Sequence, residues 1–169
     1  MKHIRHNQGF SLIEMLIYIA VLTIISLAVT STVLSFTTSY RTLGVMRIVE
    51  RSATDAMERM TREIRGATNV DTNNSTFGSN PGVLSLVTTE DAVSTTTRFY
   101  VSSNTLKVDV NGIDIGPLTT NNVVVTNLVF TLATTTYTTA VKIDMTLQGT
   151  NGTAVKTESY HSTVILKGS

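Results

Sequence analysis

The sequence predicts an α+β protein in which a long N-terminal helix, apolar in its first half and amphipathic in its second, packs on a C-terminal antiparallel β-domain. Three observations lead there. No charged residue occurs among the 26 positions from Met15 to Tyr40. Apolar residues then recur every three or four places as far as Ala67. From Val70 onward the vocabulary turns to Thr, Val, Asn, Ser and Gly, the composition of strands and short turns.

The first nine residues, MKHIRHNQG, place Lys2 and Arg5 ahead of the apolar block. A cationic flank before a lipid-compatible segment fixes topology, holding the flank on the cytoplasmic side and sending the C-terminal remainder of the chain across. At roughly 1.5 Å per residue, Phe10 to Val29 is long enough to cross a hydrocarbon core about 30 Å thick. A cleaved secretory signal, with Ala28-Val29-Thr30 as a loose cleavage site, is the rival, but its apolar part is ordinarily shorter. Past Tyr40, Met46, Val49, Ala53, Met57, Met60, Ile64 and Ala67 form one stripe, and acid-to-base pairs at Asp55/Arg59 and Glu58/Arg62 support the solvent face. Gly44 marks a soft point, and Gly66 and Asn69 the end. The domain organisation expected is a leader over 1–9, a transmembrane half over 10–36, an amphipathic half over 37–69 and a β-domain over 70–169.

Strands are expected near Val83–Thr89, Thr97–Ser102, Thr105–Val110, Val123–Ala133, Ala140–Leu147 and Thr157–Lys167. FYVSSNTLKVDV reads as a hairpin about Ser103-Asn104, and Asn111-Gly112 and Gly149-Thr150-Asn151-Gly152 supply further turns. Short connections make the sheet antiparallel, with the stripe from Met46 to Ala67 as its apolar partner. Asp71 to Gly82, rich in Asn, Ser and Gly, is expected to be a mobile link.

Chemistry is sparse. The chain has 169 residues, a net charge of +1 and no cysteine, so thiol catalysis, cysteine-ligated metals and disulfides are excluded. Six arginines interleaved with four acids between Arg41 and Arg65 read as a solvated helix face and argue against nucleic acid as a partner. His3 and His6 sit in the leader, and His161 falls within a strand, so no Ser/His/Asp arrangement emerges. Asp109, Asn111 and Asp114 flank Gly112 in a way that hints at calcium, but a hairpin turn accounts for them better. No catalytic residue, metal site or cofactor is expected. Glu14 stands out, because an ionised carboxylate in an apolar helix requires a partner, or else a place near the helix N-terminus at headgroup depth.

The segment GFSLIEMLIYIAVLTIISLAV, Gly9 to Val29, resembles the N-terminal signature of type IV pilins and the pseudopilins of type II secretion: a basic leader, Gly at the cleavage position, Phe after it, and Glu four places past the Phe. The resemblance implies cleavage between Gly9 and Phe10 by a prepilin peptidase and methylation of the new amino terminus of Phe10. It also implies assembly into a filament in which Glu14 meets the amino terminus of a neighbouring subunit. ERMTREIRGATNV, PLTTNNVVVTNLVFTL and SYHSTVILKG are similar to one branch, the J-type minor pseudopilins. The absence of a disulfide and of a helix-bending proline sets the chain apart from the best-studied major pilins, and Glu14 from K-type tip subunits. The partners implied are other pilin or pseudopilin subunits, the peptidase, an inner-membrane assembly platform with a cytoplasmic ATPase, and membrane lipid. The location implied is the inner membrane, crossed once, with the C-terminal domain extracytoplasmic, and then the pilus or pseudopilus. The alternative is an anchored extracytoplasmic binding or adhesion module that does not polymerise.

Overall fold

A computed structural model describes residues 11–167. The chain divides into two compact units, Met1–Tyr40 and Arg41–Ser169. Helix α1, Leu12–Gly66, contributes to both, and Gly44 does not interrupt it. It ends where Ala67 N turns back to Glu63 O at 2.9 Å and Ile64 O at 3.3 Å.

In the second unit the elements are β1 (Asn69–Val70), β2 (Leu84–Glu90), β3 (Val93–Ser102), β4 (Thr105–Val110), β5 (Ile113–Pro117), β6 (Val123–Thr134), β7 (Thr139–Asn151) and β8 (Ala154–Ile165). Every ladder is antiparallel, as expected, but there are two sheets: five strands in the order β1-β2-β3-β4-β5 and three in the order β6-β7-β8. β1 and β5, of two and five residues, were not expected. The β2–β3 turn, Asp91-Ala92, lacks a sequence signal because both residues take positive φ (48° and 65°) without glycine. Ser103-Asn104 and Asn111-Gly112 turn as expected, all four with positive φ. The expected turn at Gly149 moves outward, since β7 continues to Asn151. Gly149 is required there for another reason. A Cβ on it would overlap Val49 Cγ2 and lie 2.9 Å from Val45 Cγ1, so a glycine lets the helix seat on the strand.

The core joins the helix stripe to both sheets, with Phe99, Phe130, Met60, Ile64, Leu84 and Leu128 fully buried. The stripe is rotated slightly from the expected one. Val45, Ser52 and Ala56 are buried, Met57 is partly buried and Met46 is 36% exposed. Ser52 Oγ lies 3.3 Å from Thr120 Oγ1, which accounts for a hydroxyl in that position. Of the expected helix pairs, Glu58–Arg62 forms at 2.6 Å, whereas Arg59 reaches forward to Glu63 at 2.9 Å and Asp55 faces Arg51 at 4.0 Å.

The segment from Asp71 to Gly82, expected to be a mobile link, is hydrogen-bonded to its neighbours along its length. Asp71 Oδ1 accepts from the amides of Asn73 and Asn74, and Thr76 bridges Val83. Gly78 N donates to Phe130 O at 2.9 Å and Gly82 N to Leu128 O at 2.7 Å, while Asn80 Oδ1 accepts from Leu128 N at 2.9 Å. The segment thus acts as a strap that closes the outer edge of β6, hiding backbone groups that would otherwise template pairing.

Candidate functional site

The described residues of the first unit, 11–40, are almost all helical and exposed or half-exposed. Helix α1 is long and apolar enough to cross a membrane, and none of its apolar stretch is buried within the molecule. Leu12 is 84% exposed and Leu22 64%. A soluble surface would not tolerate this, whereas a hydrocarbon solvent would. Its hydroxyls are suited to the same solvent. Thr23 Oγ1 donates to Ile19 O at 2.7 Å, Thr30 to Ser26 O at 2.8 Å, Thr32 to Ala28 O at 2.8 Å and Thr37 to Val33 O at 3.0 Å. Each of these polar groups is satisfied within the helix, as lipid demands.

Glu14, the one acidic residue in the first turn, is partly covered. The amides of Glu14 and Met15 both turn back to Ser11 O, at 3.1 Å and 3.2 Å, so the carboxylate stands where the helix dipole favours negative charge. Tyr18 Oη donates to Glu14 Oε1 at 3.2 Å. Tyr18 was not among the residues the sequence marked out, although a phenol four places after a lone carboxylate is the spacing at which the two meet on a helix face. Gly9, Phe10, Lys2 and Arg5 lie outside the described residues.

Several charged groups of the β-domain pair across or along its own ladders. Asp109, 4% exposed, takes Arg98 Nε at 2.8 Å and Nη2 at 2.6 Å, and Asn111 Oδ1 accepts from Thr96 N at 2.8 Å. Lys107 Nζ donates to Asp114 Oδ2 at 2.7 Å, holding that carboxyl below its ordinary value with help from Gly116 N, and raising its own. These contacts explain the three oxygen-bearing residues around Gly112 as hairpin partners. Asp144 binds Lys142 Nζ at 3.0 Å and His161 Nδ1 at 2.6 Å, and these two, Lys142 first, hold its carboxyl below its ordinary value. Neither the His161–Asp144 pair nor its cross-strand register was expected from sequence. It sits on an exposed strand face, where it joins β7 to β8. Among the described residues no cluster of His, Asp or Glu is placed to hold a metal ion.

A family model described as a prokaryotic N-terminal methylation motif matches residues 4–30. Glu14, Tyr18 and most of the exposed apolar helix fall inside the match, which supports a type IV pilin-like prepilin signal on this chain. No curated protein and no solved structure matches the chain.

Proposed function

We propose that the chain is a structural, non-enzymatic subunit of a type IV pilus or a type II secretion pseudopilus, with the J-type minor subunits as its branch. The observation that carries this reading is a methylation motif over residues 4–30 that contains a single carboxylate, Glu14, at the head of an exposed apolar helix. In this reading residues 1–9 are a leader removed between Gly9 and Phe10, and Lys2 and Arg5 hold it on the cytoplasmic face. Residues 10–36 span the inner membrane, 37–69 form the amphipathic half of the helix, and 70–169 form the extracytoplasmic domain. The new ammonium of Phe10 in one subunit then neutralises Glu14 of the next. An ionised carboxylate inside a helix bundle costs several kcal/mol unless it is paired, so the pairing would select one axial stagger between subunits. The helices exchange lipid for other helices and stay out of water throughout, while the β-domains face outward. Sibling subunits, a prepilin peptidase and an inner-membrane platform with its ATPase are the partners.

The test is the mass of the mature N-terminus after co-expression with a prepilin peptidase. A chain beginning at N-methylated Phe10 is expected. An intact Met1, or a terminus near Thr30, would overturn the reading.

A further inference from the structure

Two Asn-Gly pairs stand at hairpin turns, Asn111-Gly112 and Asn151-Gly152, and all four residues are exposed. Such a pair can react with itself. The amide nitrogen of the glycine attacks the side-chain carbonyl carbon of the asparagine, and a residue without Cβ leaves that nitrogen least obstructed. Attack requires the side chain to swing over the nitrogen, so a hydrogen bond that holds it elsewhere suppresses the reaction.

The two pairs differ in this respect. Asn111 Oδ1 accepts from Thr96 N at 2.8 Å and Asn111 N donates to Thr96 O at 2.8 Å, so side chain and backbone are both fastened to β3. Asn151 ends β7 opposite Ala154, and Gly152, at φ 61°, begins the turn between them. Among the described residues the Asn151 side chain makes no hydrogen bond and Gly152 N donates to no acceptor. Exposure is shared by the two asparagines, and only one of them is held.

We propose that Asn151 is a site of spontaneous covalent modification, and that the fold directs the reaction to it and away from Asn111. Gly152 N bonds to Asn151 Cγ and gives up its proton, the Cγ–Nδ2 bond breaks, and ammonia leaves with that proton. Water then opens the cyclic imide. Opening at Cγ restores the main chain as aspartate, and opening at the main-chain carbonyl carbon leaves the chain joined through the side chain as isoaspartate. No electron is exchanged, and water is the one co-reactant. Either product carries a carboxylate where a neutral amide stood, which removes the chain's formal net charge of +1. A Cβ on Gly152 would lie 3.7 Å from Arg41 Nη1, so the new charge arises beside the first charged residue after the apolar block. Isoaspartate also lengthens the main chain by one methylene at the Asn151–Ala154 pair, which loosens the end of the β7–β8 ladder.

The test follows both asparagines in the same molecules. The full-length protein in detergent micelles is kept warm in mildly alkaline buffer, sampled over weeks, and digested with trypsin for mass spectrometry. Cleavage after Lys107, Lys142 and Lys156 places the two pairs on separate peptides. Each conversion adds about 1 Da, and in water enriched in heavy oxygen the product gains one heavy oxygen atom. In the folded protein Asn151 is expected to convert about tenfold faster than Asn111. In urea strong enough to unfold the β-domain the two rates should lie within about twofold of each other, because only the shared dipeptide then matters. Equal rates in the folded protein, or a faster Asn111, would overturn the proposal. So would a tenfold ratio that persisted in urea, since flanking sequence and not the fold would then set it.

Discussion

At the scale of single residues, Glu14 and Gly149 show how different constraints act on one helix. Glu14 is at the start of a helix that carries no other charge before Arg41, with a phenol donating to it from 3.2 Å away. A neutral phenol does not discharge a carboxylate, and in the proposed filament the ammonium of a neighbouring subunit would complete its compensation. Glu14→Ala is expected to insert in membranes as the parent does and to be incorporated into filaments poorly; normal incorporation, measured in sheared filament fractions, would count against the pairing with Phe10. Gly149 is governed by packing instead. Gly149→Ala forces a methyl group against Val49 and Val45, both stiff at χ1, and is expected to destabilise the β-domain by about 1–3 kcal/mol. Chemical denaturation of the two chains would measure this.

Among the elements, the strap from Asp71 to Gly82 adds hydrogen bonds between the two sheets to the core they share. Its main-chain amides and the Asn80 amide group complete the outer edge of β6, and Val125 N donates to Asn104 O at 2.8 Å to join β6 to the β3–β4 turn. Asn80→Ala leaves the amide of Leu128 without an acceptor and should cost about 1–3 kcal/mol, with faster hydrogen exchange concentrated on β6. If exchange at β6 stayed unchanged, the strap would be passive covering. The other edges are treated differently: β5 is short and ends in Pro117, whereas β8 runs for twelve residues from Ala154 to Ile165 with no strand paired on its outer side among the described residues.

For the molecule as a whole, the residues of the hydrophobic core fall between Val45 and Leu166. The second unit, Arg41–Ser169, therefore contains the apolar burial that stabilises it. A chain beginning at Arg41 is expected to be soluble and to unfold in one cooperative transition, at a temperature close to that of the full-length β-domain. Loss of cooperativity in a calorimetric scan would mean that the first unit contributes to the core.

The sequence alone determined the elements whose cause is local. A long block without charge is apolar enough to cross a membrane wherever it folds, period 3.6 and period 2 identify an amphipathic helix and half-buried strands, and Asn-Gly and Ser-Asn pairs turn because those residues accept positive φ. The methylation motif was legible for the same reason, since its recognition depends on contiguous residues. Only the tertiary structure decided the rest. Whether strands form one sheet or two, whether a polar loop is loose or strapped to an edge, and that Gly149 meets Val49 or His161 meets Asp144 all depend on groups far apart in the chain. Periodicity places a residue on a face but does not say which face it meets, and burial and hydrogen bonding are settled only once the partner has arrived.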